Sequence, residues 1–424
     1  MNRLRLAIVS THPIQYYAPI FQALARSNTL IPRVFYTWSQ TAAAAVSDPG
    51  FAQVITWDIP LLEGYEHEFV ENVAIRPGTD HFRGLRNPGL KQAIEAWGAN
   101  AVLVFGWNLE SHLEALRYFK GRIPVFFRGD STLLDPTSWW RGTARRVFLR
   151  WVYRHIDVAI AVGSNNKDYF RWCGVPESRI AFAPHAIDTT RFADPTGTQT
   201  ERAAQWRREL GIPARARTIV FAGKFQAKKD PLLLLEAFSR CGAPGHLVLV
   251  GNGALEESLR ARASVGTGGH TNSTMALNAC IGADANARAA PGVNAVHFLP
   301  FQNQLSMPAV YRLGDIFALP SRGPGETWGL ALNEAMASAR PVIAGSKVGG
   351  ARDLVKEAAT GWTFESGNLE QLTAVVAKAL TSSDATLTTM GAAAVRESTG
   401  WSVEAAAQGI ENAVLALAAA RVTR

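Results

Sequence analysis

Residues 326–334 read ETWGLALNE, with a carboxylate at each end and seven residues between them. A second stretch, FAGKFQAKKDPLLLLEAF (221–238), carries Lys224, Lys228 and Lys229. Two acids and a lysine cluster suit a ligand that is part anion and part polyol. Carboxylates accept charge-assisted hydrogen bonds from vicinal hydroxyls, and ammonium groups neutralise phosphate. DIFALPS before the first acid reads as a strand, RGPGE as a turn and TWGLALNEAMASA as a helix. This expectation places Glu326 on a loop just before a helix and Glu334 about two turns inside it. Backbone N–H groups near Thr327, Trp328, Gly329 and Leu330 would lack helical acceptors and form an anion site. Gly329 would let a ligand approach the backbone. Read blandly, Glu326 is an ordinary first-turn acid, Glu334 a solvated one, and the lysines a basic surface loop.

The elements that must position these groups recur along the chain. RLAIVS, AVLVFG, IPVFFRG, VAIAVG, TIVFAGKF, HLVLVGNG, DIFALPS and RPVIAG are apolar runs, most of them followed by a helical pattern. Continuous hydrophobicity marks strands covered on both faces, so the expected class is α/β with doubly wound parallel sheets. The 424 residues are too many for one ordinary core. Two series occur, 1–193 and 194–401, joined by the polar stretch DPTGTQTERAA (194–204), which reads as a linker. A helix near 402–424 is expected to pack back on the first series. Ligand would bind in a cleft between them, at the carboxyl ends of the strands. Residues 264–294 break the rhythm and read as a surface insertion.

Composition narrows the partners. The net charge of +8 allows nucleic acid, an anionic membrane or phosphorylated small molecules, but no basic nucleic-acid module is present. Three widely spaced cysteines, Cys173, Cys241 and Cys280, suggest a reducing compartment without disulfides. There is no CxxC, HExxH or Asp-x-Asp, so neither a metal nor a cofactor is expected. No apolar run reaches the roughly 20 residues of a membrane span. The stretch 138–157, SWWRGTARRVFLRWVYRHID, has arginines at 146, 150 and 154. It reads either as a basic amphipathic helix making a peripheral membrane contact or as a helix packed by Trp139, Phe148 and Trp151 with its arginines in water.

Taken together, these motifs resemble the retaining glycosyltransferases of family 4, which have the GT-B fold: two Rossmann-like domains facing across a cleft. The carriers are the Glu–seven–Glu pattern after LPS, the GK pair Lys224 and Lys229, PHAIDTTRF (184–192), VLVGNGALEESL and FLPFQNQLSMPAVYRLGDIFALPS. STHPIQYYAPIFQAL, WDIPLLEGYEHEF, FRGLRNPGL, VFGWNLESH and FRGDSTLL resemble a narrower bacterial group. The resemblance implies that Glu326 contacts donor-sugar hydroxyls and Glu334 the ribose, while Lys224 and Lys229 stabilise the leaving diphosphate. Thr327–Leu330, Gly251, Gly253 and Phe301 would line the donor site. His12 and Gln15 replace the usual glycine loop, and Arg128 or Asp130 would take over the contact of a sugar-side histidine. The implied activity is metal-independent, retaining sugar transfer from a nucleoside diphosphate donor to a glycan or lipid-linked acceptor, without nucleic acid. The setting would be bacterial polysaccharide or glycoconjugate synthesis, in the cytoplasm or at the inner face of its membrane. An epimerase of the same fold and a non-catalytic nucleotide-sugar binding protein are the alternatives.

Overall fold

The computed structural model describes residues 3–38, 46–48, 53–135, 138–266, 271–272 and 294–422. Most of the 264–294 insertion, with Cys280, therefore lies outside the described residues. The chain divides into two compact units: Met1–Val46 with Ile59–Asp188 and Trp401–Arg424, and Ser47–Asp58 with Thr189–Gly400.

In the first unit, β1 (Leu4–Ser10) and β2 (Leu30–Tyr36) are main-sheet strands; β3 (Val46–Asp48), at the boundary, and β4 (Gln53–Ile55), in the second unit's Ser47–Asp58 segment, pair separately. With β5 (Glu66–Phe69), β6 (Ala101–Phe105), β7 (Val125–Arg128), β8 (Val158–Ala161) and β9 (Ile180–Phe182), the main sheet has the order β5-β2-β1-β6-β7-β8-β9. All of its pairings are parallel. Alternate residues of β1 feed opposite faces, as a pleat requires. Leu6 and Ile8 join the core of α1 (Ala18–Ala25), whereas Ala7 and Val9 join the core of α2 (Leu90–Ala96), α3 (Glu110–Phe119), α4 (Trp139–Tyr153) and α5 (Ser164–Trp172).

The second unit repeats the plan. Its helices are α6 (Thr189–Phe192), α7 (Thr198–Glu209), α8 (Pro231–Arg240), α9 (Glu256–Gly266), α10 (Met307–Leu313), α11 (Ala331–Ala337), α12 (Ala351–Leu354), α13 (Leu369–Thr381) and α14 (Asp384–Thr399). Its strands are β10 (Thr218–Ala222), β11 (His246–Val250), β12 (Thr271–Asn272), β13 (Ala295–Leu299), β14 (Ile316–Leu319), β15 (Val342–Gly345) and β16 (Gly361–Phe364). The order is β12-β13-β11-β10-β14-β15-β16, so the chain reverses direction across the sheet between β10 and β14. Strands β10, β11, β13, β14 and β15 are buried along their whole length.

The polar stretch at 194–204 is not a linker. Asp194 accepts from the backbone N–H groups of Gln199 and Thr200 at 3.0 and 2.8 Å and so caps α7. Its other partner is Arg312 of α10, at 3.6 Å with both side chains buried. A run of Thr, Gly and Gln thus folds into a helix anchored by a charge more than a hundred residues away. The last helix, α15 (Val403–Val422), belongs to the first unit: Ala406, Ile410 and Val414 share a core with Ile20, Phe21 and Leu24.

Candidate active site

The sheet reversal between β10 and β14 fixes where the second unit can grip a ligand, because adjacent loops there leave in opposite directions and open a crevice. The lysine cluster follows β10 and the acid pair follows β14, so both sequence motifs flank that point. After β10 the chain turns at Gly223 (φ +156°) and runs to Asp230, whose left-handed conformation (φ +49°) starts α8. Pro231 stands in the first turn, where its missing N–H costs nothing. The two loops are tied together: Arg322 N–H donates to the Lys228 carbonyl at 3.0 Å, and Arg322 Nε lies 3.4 Å from Asp230.

Lys229 meets Glu326 in this frame. Its Nζ lies 2.6 Å from Glu326 Oε2, with side-chain exposures of 18% and 7%. Ser321 Oγ donates to the same oxygen at 3.1 Å. Glu326 is therefore a buried, paired acid rather than an ordinary exposed one. The segment that carries it is held from the other side. Gly349 N–H donates to the Glu326 carbonyl (3.1 Å) and Gly350 N–H to that of Trp328 (2.8 Å). A Cβ at Gly349 would fall 1.7 Å from the Thr327 carbonyl oxygen, so no other residue fits without moving the loop.

Glu334 stands elsewhere than expected. Gly329 is left-handed (φ +87°), which delays the helix until Ala331 and puts Glu334 in the first turn instead of two turns in. Its carboxylate is buried, not solvated, and Oε2 accepts from Tyr311 Oη at 2.5 Å. The space beside Gly329 is taken by protein: a Cβ would lie 2.6 Å from Val348 Cγ1. Trp328 is likewise internal, its indole N–H donating to Asn333 at 2.8 Å. Thr327 and Leu330 complete the turn between Glu326 and α11.

The strand-end loops beyond β10 show why the GNG turn carries glycines. A Cβ at Gly251 would lie 2.0 Å from the Gly223 carbonyl oxygen, and one at Gly253 2.7 Å from that of Phe225. Asn252 Oδ1 accepts from Phe301 N–H at 2.7 Å, and its carbonyl from Phe225 N–H at 2.9 Å. Lys224 stands between Gly223 and Phe225 in this laced platform. Ser321, Asn252, Tyr311, Arg322 and the Gly349–Gly350 pair were not singled out from the sequence, although the first four lie within the quoted motifs; VGG after RPVIAGSK was the signal for the glycine pair.

The first unit holds a separate cluster. His12 follows β1, half-buried, with Nδ1 3.0 Å from Thr11 Oγ1 and its ring edge-on to Trp38 at 5.8 Å. Burial keeps it neutral by lowering its pKa. Gln15 is half-buried in the turn that leads into α1. Arg128 cannot present itself to a sugar: it is 2% exposed, and its two terminal nitrogens donate to the Ala183 and Pro184 carbonyls at 2.7 Å each. Burial pulls even this guanidinium down to about 10, with Tyr17 and Asp130 opposing. Asp130 is half-buried nearby. Burial and then Asp130 push the Tyr17 hydroxyl up to about 12, and burial holds His185 down at about 4 against Asp130.

Comparison with known proteins gives this geometry a context. Residues 216–382 match the family model of glycosyl transferases group 1, and residues 53–186 that of a glycosyl transferase 4-like domain. The chain is 30% identical over 271 residues to a D-inositol 3-phosphate glycosyltransferase of Corynebacterium aurimucosum, covering 63% of this chain and 59% of that protein. For the Salinispora arenicola protein of the same name the figures are 29% over 188 residues, 43% and 38%. The chain thus spans less than two thirds of the length of these relatives. Among solved structures, Anabaena HepE in complex with UDP superposes with a TM-score of 0.68 at 18% identity, covering 98% of this chain and 100% of that one. Sucrose-phosphate synthase of Thermosynechococcus elongatus gives 0.67 at 16%, covering 99% and 100%. Two doubly wound parallel sheets, the second spanned and the first partly covered by a glycosyltransferase-like sequence region, make this a chain of the GT-B fold.

Proposed function

We propose that the protein is a retaining glycosyltransferase that moves a sugar from a nucleoside diphosphate donor to a glycan or lipid-linked acceptor. The observation that carries this reading is the Lys229–Glu326 pair, set where the second sheet reverses and where the loops after β10 and β14 are joined. HepE is described with UDP and with UDP-glucose, which supports a donor of that class. Lys229, with Lys224, would meet the charge that grows on the leaving diphosphate, and Glu326 would orient sugar hydroxyls. Before donor arrives, Lys229 is neutralised by Glu326. Binding then trades one anionic partner for another, and the freed carboxylate turns to the sugar. Glu334 would act from the first turn of α11, with Tyr311 fixing one oxygen and the other directed to the ribose. The acceptor hydroxyl attacks on the leaving-group face, a donor phosphate oxygen takes its proton, and His12 or Asp130 would meet the acceptor.

A thermal-shift screen against UDP-, GDP- and other nucleotide sugars tests this. A ligand that binds only the folded state raises the melting temperature in proportion to its occupancy. Stabilisation by one nucleoside diphosphate and its sugar conjugate, followed by transfer to a glycan acceptor with retained anomeric configuration, is the expected result. No stabilisation by any nucleoside diphosphate or sugar conjugate would remove the proposal.

A further inference from the structure

The helix α4 presents apolar surface to solvent where a core helix would hide it. The reading in which Trp139 and Phe148 pack inward is overturned: Trp139 is 83% exposed and Phe148 44%, with Trp140 at 54% and Val147 at 65%. These exposures follow the helical period. At about 100° per residue, Gly142, Leu149, Val152 and Tyr153 share the inward face, and they are the buried residues of α4. Trp140, Ala144, Val147 and Phe148 fall on the opposite side, with Trp151 half-buried at its end against the core. Phe148 and Trp151 stack there at 5.7 Å, and Trp107 packs edge-on to Phe148 at 5.4 Å.

Charge borders this apolar stripe on both sides. Arg141 projects along one edge, Arg150 and Arg154 along the other. Residues 138–156 contain five arginines and no aspartate or glutamate. Arg117 of α3 adds a further cation 5.6 Å from the Trp151 ring. Arg145 and Arg146 turn inward: the Arg145 guanidinium lies 5.7 Å from the ring of buried Tyr169, and Arg146 Nε donates to the Trp172 carbonyl at 2.7 Å, pinning α4 to the body of the unit.

We infer that α4 is a membrane-surface helix: it lies on an anionic lipid bilayer, with Trp140, Val147 and Phe148 among the acyl–headgroup boundary and Arg141, Arg150 and Arg154 on lipid phosphates. Aromatic and aliphatic residues opposite the anchored face, bordered by arginines, are what interfacial helices use. Charge selects the partner, since a stripe free of acids and edged by cations complements an anionic surface. Contact is by lying on the bilayer, as no helix among the described residues is long and apolar enough to cross one. The inference uses none of the donor residues and stands or falls apart from the sugar-transfer reading.

Cosedimentation of the full chain with vesicles tests it. Vesicles of equal parts phosphatidylcholine and phosphatidylglycerol should bind the protein at low salt, and phosphatidylcholine alone should not. Binding should weaken as the Debye length shrinks from about 30 Å at 0.01 M salt to about 3 Å at 1 M. Arg141→Gln with Arg154→Gln should lower the partition coefficient by roughly 25-fold, about fivefold per arginine. Trp140→Ser with Val147→Ser should weaken binding at every salt concentration. All four side chains face solvent, so both variants should keep the parent melting temperature and any glycosyltransfer measured with a water-soluble acceptor. Absence of binding to anionic vesicles at low salt, or unchanged binding by either folded variant, would overturn the inference. So would concentration-dependent self-association that Trp140→Ser with Val147→Ser abolishes while vesicle binding persists, since the stripe would then be a contact between copies.

Discussion

Replacing Lys229 by methionine removes the cation that lies 2.6 Å from Glu326 Oε2 and leaves a carboxylate of 7% exposure with the Ser321 hydroxyl on that oxygen. Coulomb attraction at this distance is roughly 6 kcal/mol at an effective dielectric of 20, before the desolvation of both groups is subtracted. Breaking a buried pair on one side costs about 3–5 kcal/mol. The lower end applies here, because the lysine side chain keeps 18% exposure. About 3 kcal/mol in a unit of this size corresponds to a fall of roughly 6–12 °C in melting temperature. The double variant with Glu326→Gln should recover about 2 kcal/mol of that, because no buried charge is then stranded. Scanning calorimetry of wild type, both single variants and the double variant closes the cycle. Additivity within about 0.5 kcal/mol would refute the coupling. Repeating the series with nucleoside diphosphate separates structure from binding. The double variant should lose the ligand-induced stabilisation although its fold is restored. If the stabilisation survives, Lys229 does not meet the diphosphate.

Three further outcomes follow from the geometry. Gly349→Ala forces a Cβ to within 1.7 Å of the Thr327 carbonyl, so nucleotide stabilisation should be lost together with roughly 2 kcal/mol or more, read in the same thermal shift. Arg128→Met removes two hydrogen bonds to the 183–184 carbonyls; it should lower the melting temperature by several degrees while leaving discrimination among donor sugars unchanged in a competition assay. Acid should weaken both units: His112 and His185 are held at about 4 by burial, and in the second unit His246 is held at about 4 and His297 at about 3. Unfolding frees each to take a proton below about 6.5, so this stability is present above that value and lost as pH falls toward 4, with a slope of about 1.4 kcal/mol per pH unit per histidine. His297→Gln should flatten the slope measured by denaturant melts between pH 6.5 and 4.5.

The strands were legible because parallel strands covered on both faces have no polar face to interrupt them; TIVFA and HLVLV are buried throughout. The Glu326–Glu334 spacing was legible too, but not where the helix begins. That depends on the left-handed backbone at Gly329, and the packing of Val348 and Leu319 against it gives no sign in the local sequence. Other misreadings share this cause. The helix at 198–209 is anchored by Asp194 and Arg312, and Arg128 is consumed by carbonyls 55 and 56 residues onward. Trp139 and Phe148 suit a core by type, and only the neighbours of α4 show that no core receives them.

The return of α15 to the first unit has a consequence for how the molecule is made. Part of the apolar side of α1 stays bare on the nascent chain until residues past 403 emerge: the sheet covers the rest, but α15 is synthesised after the second unit. Ser27 and Thr29 then bind Glu411, and Gly409 seats against the Phe182 carbonyl. Apart from the early segment Ser47–Asp58, the second unit is a single run from Thr189 to Gly400 and can mature once that run is made, whereas the first must wait. Shortening the gene before this helix would accordingly harm the half of the protein encoded at the opposite end, with a sticky, half-clad sheet as the product.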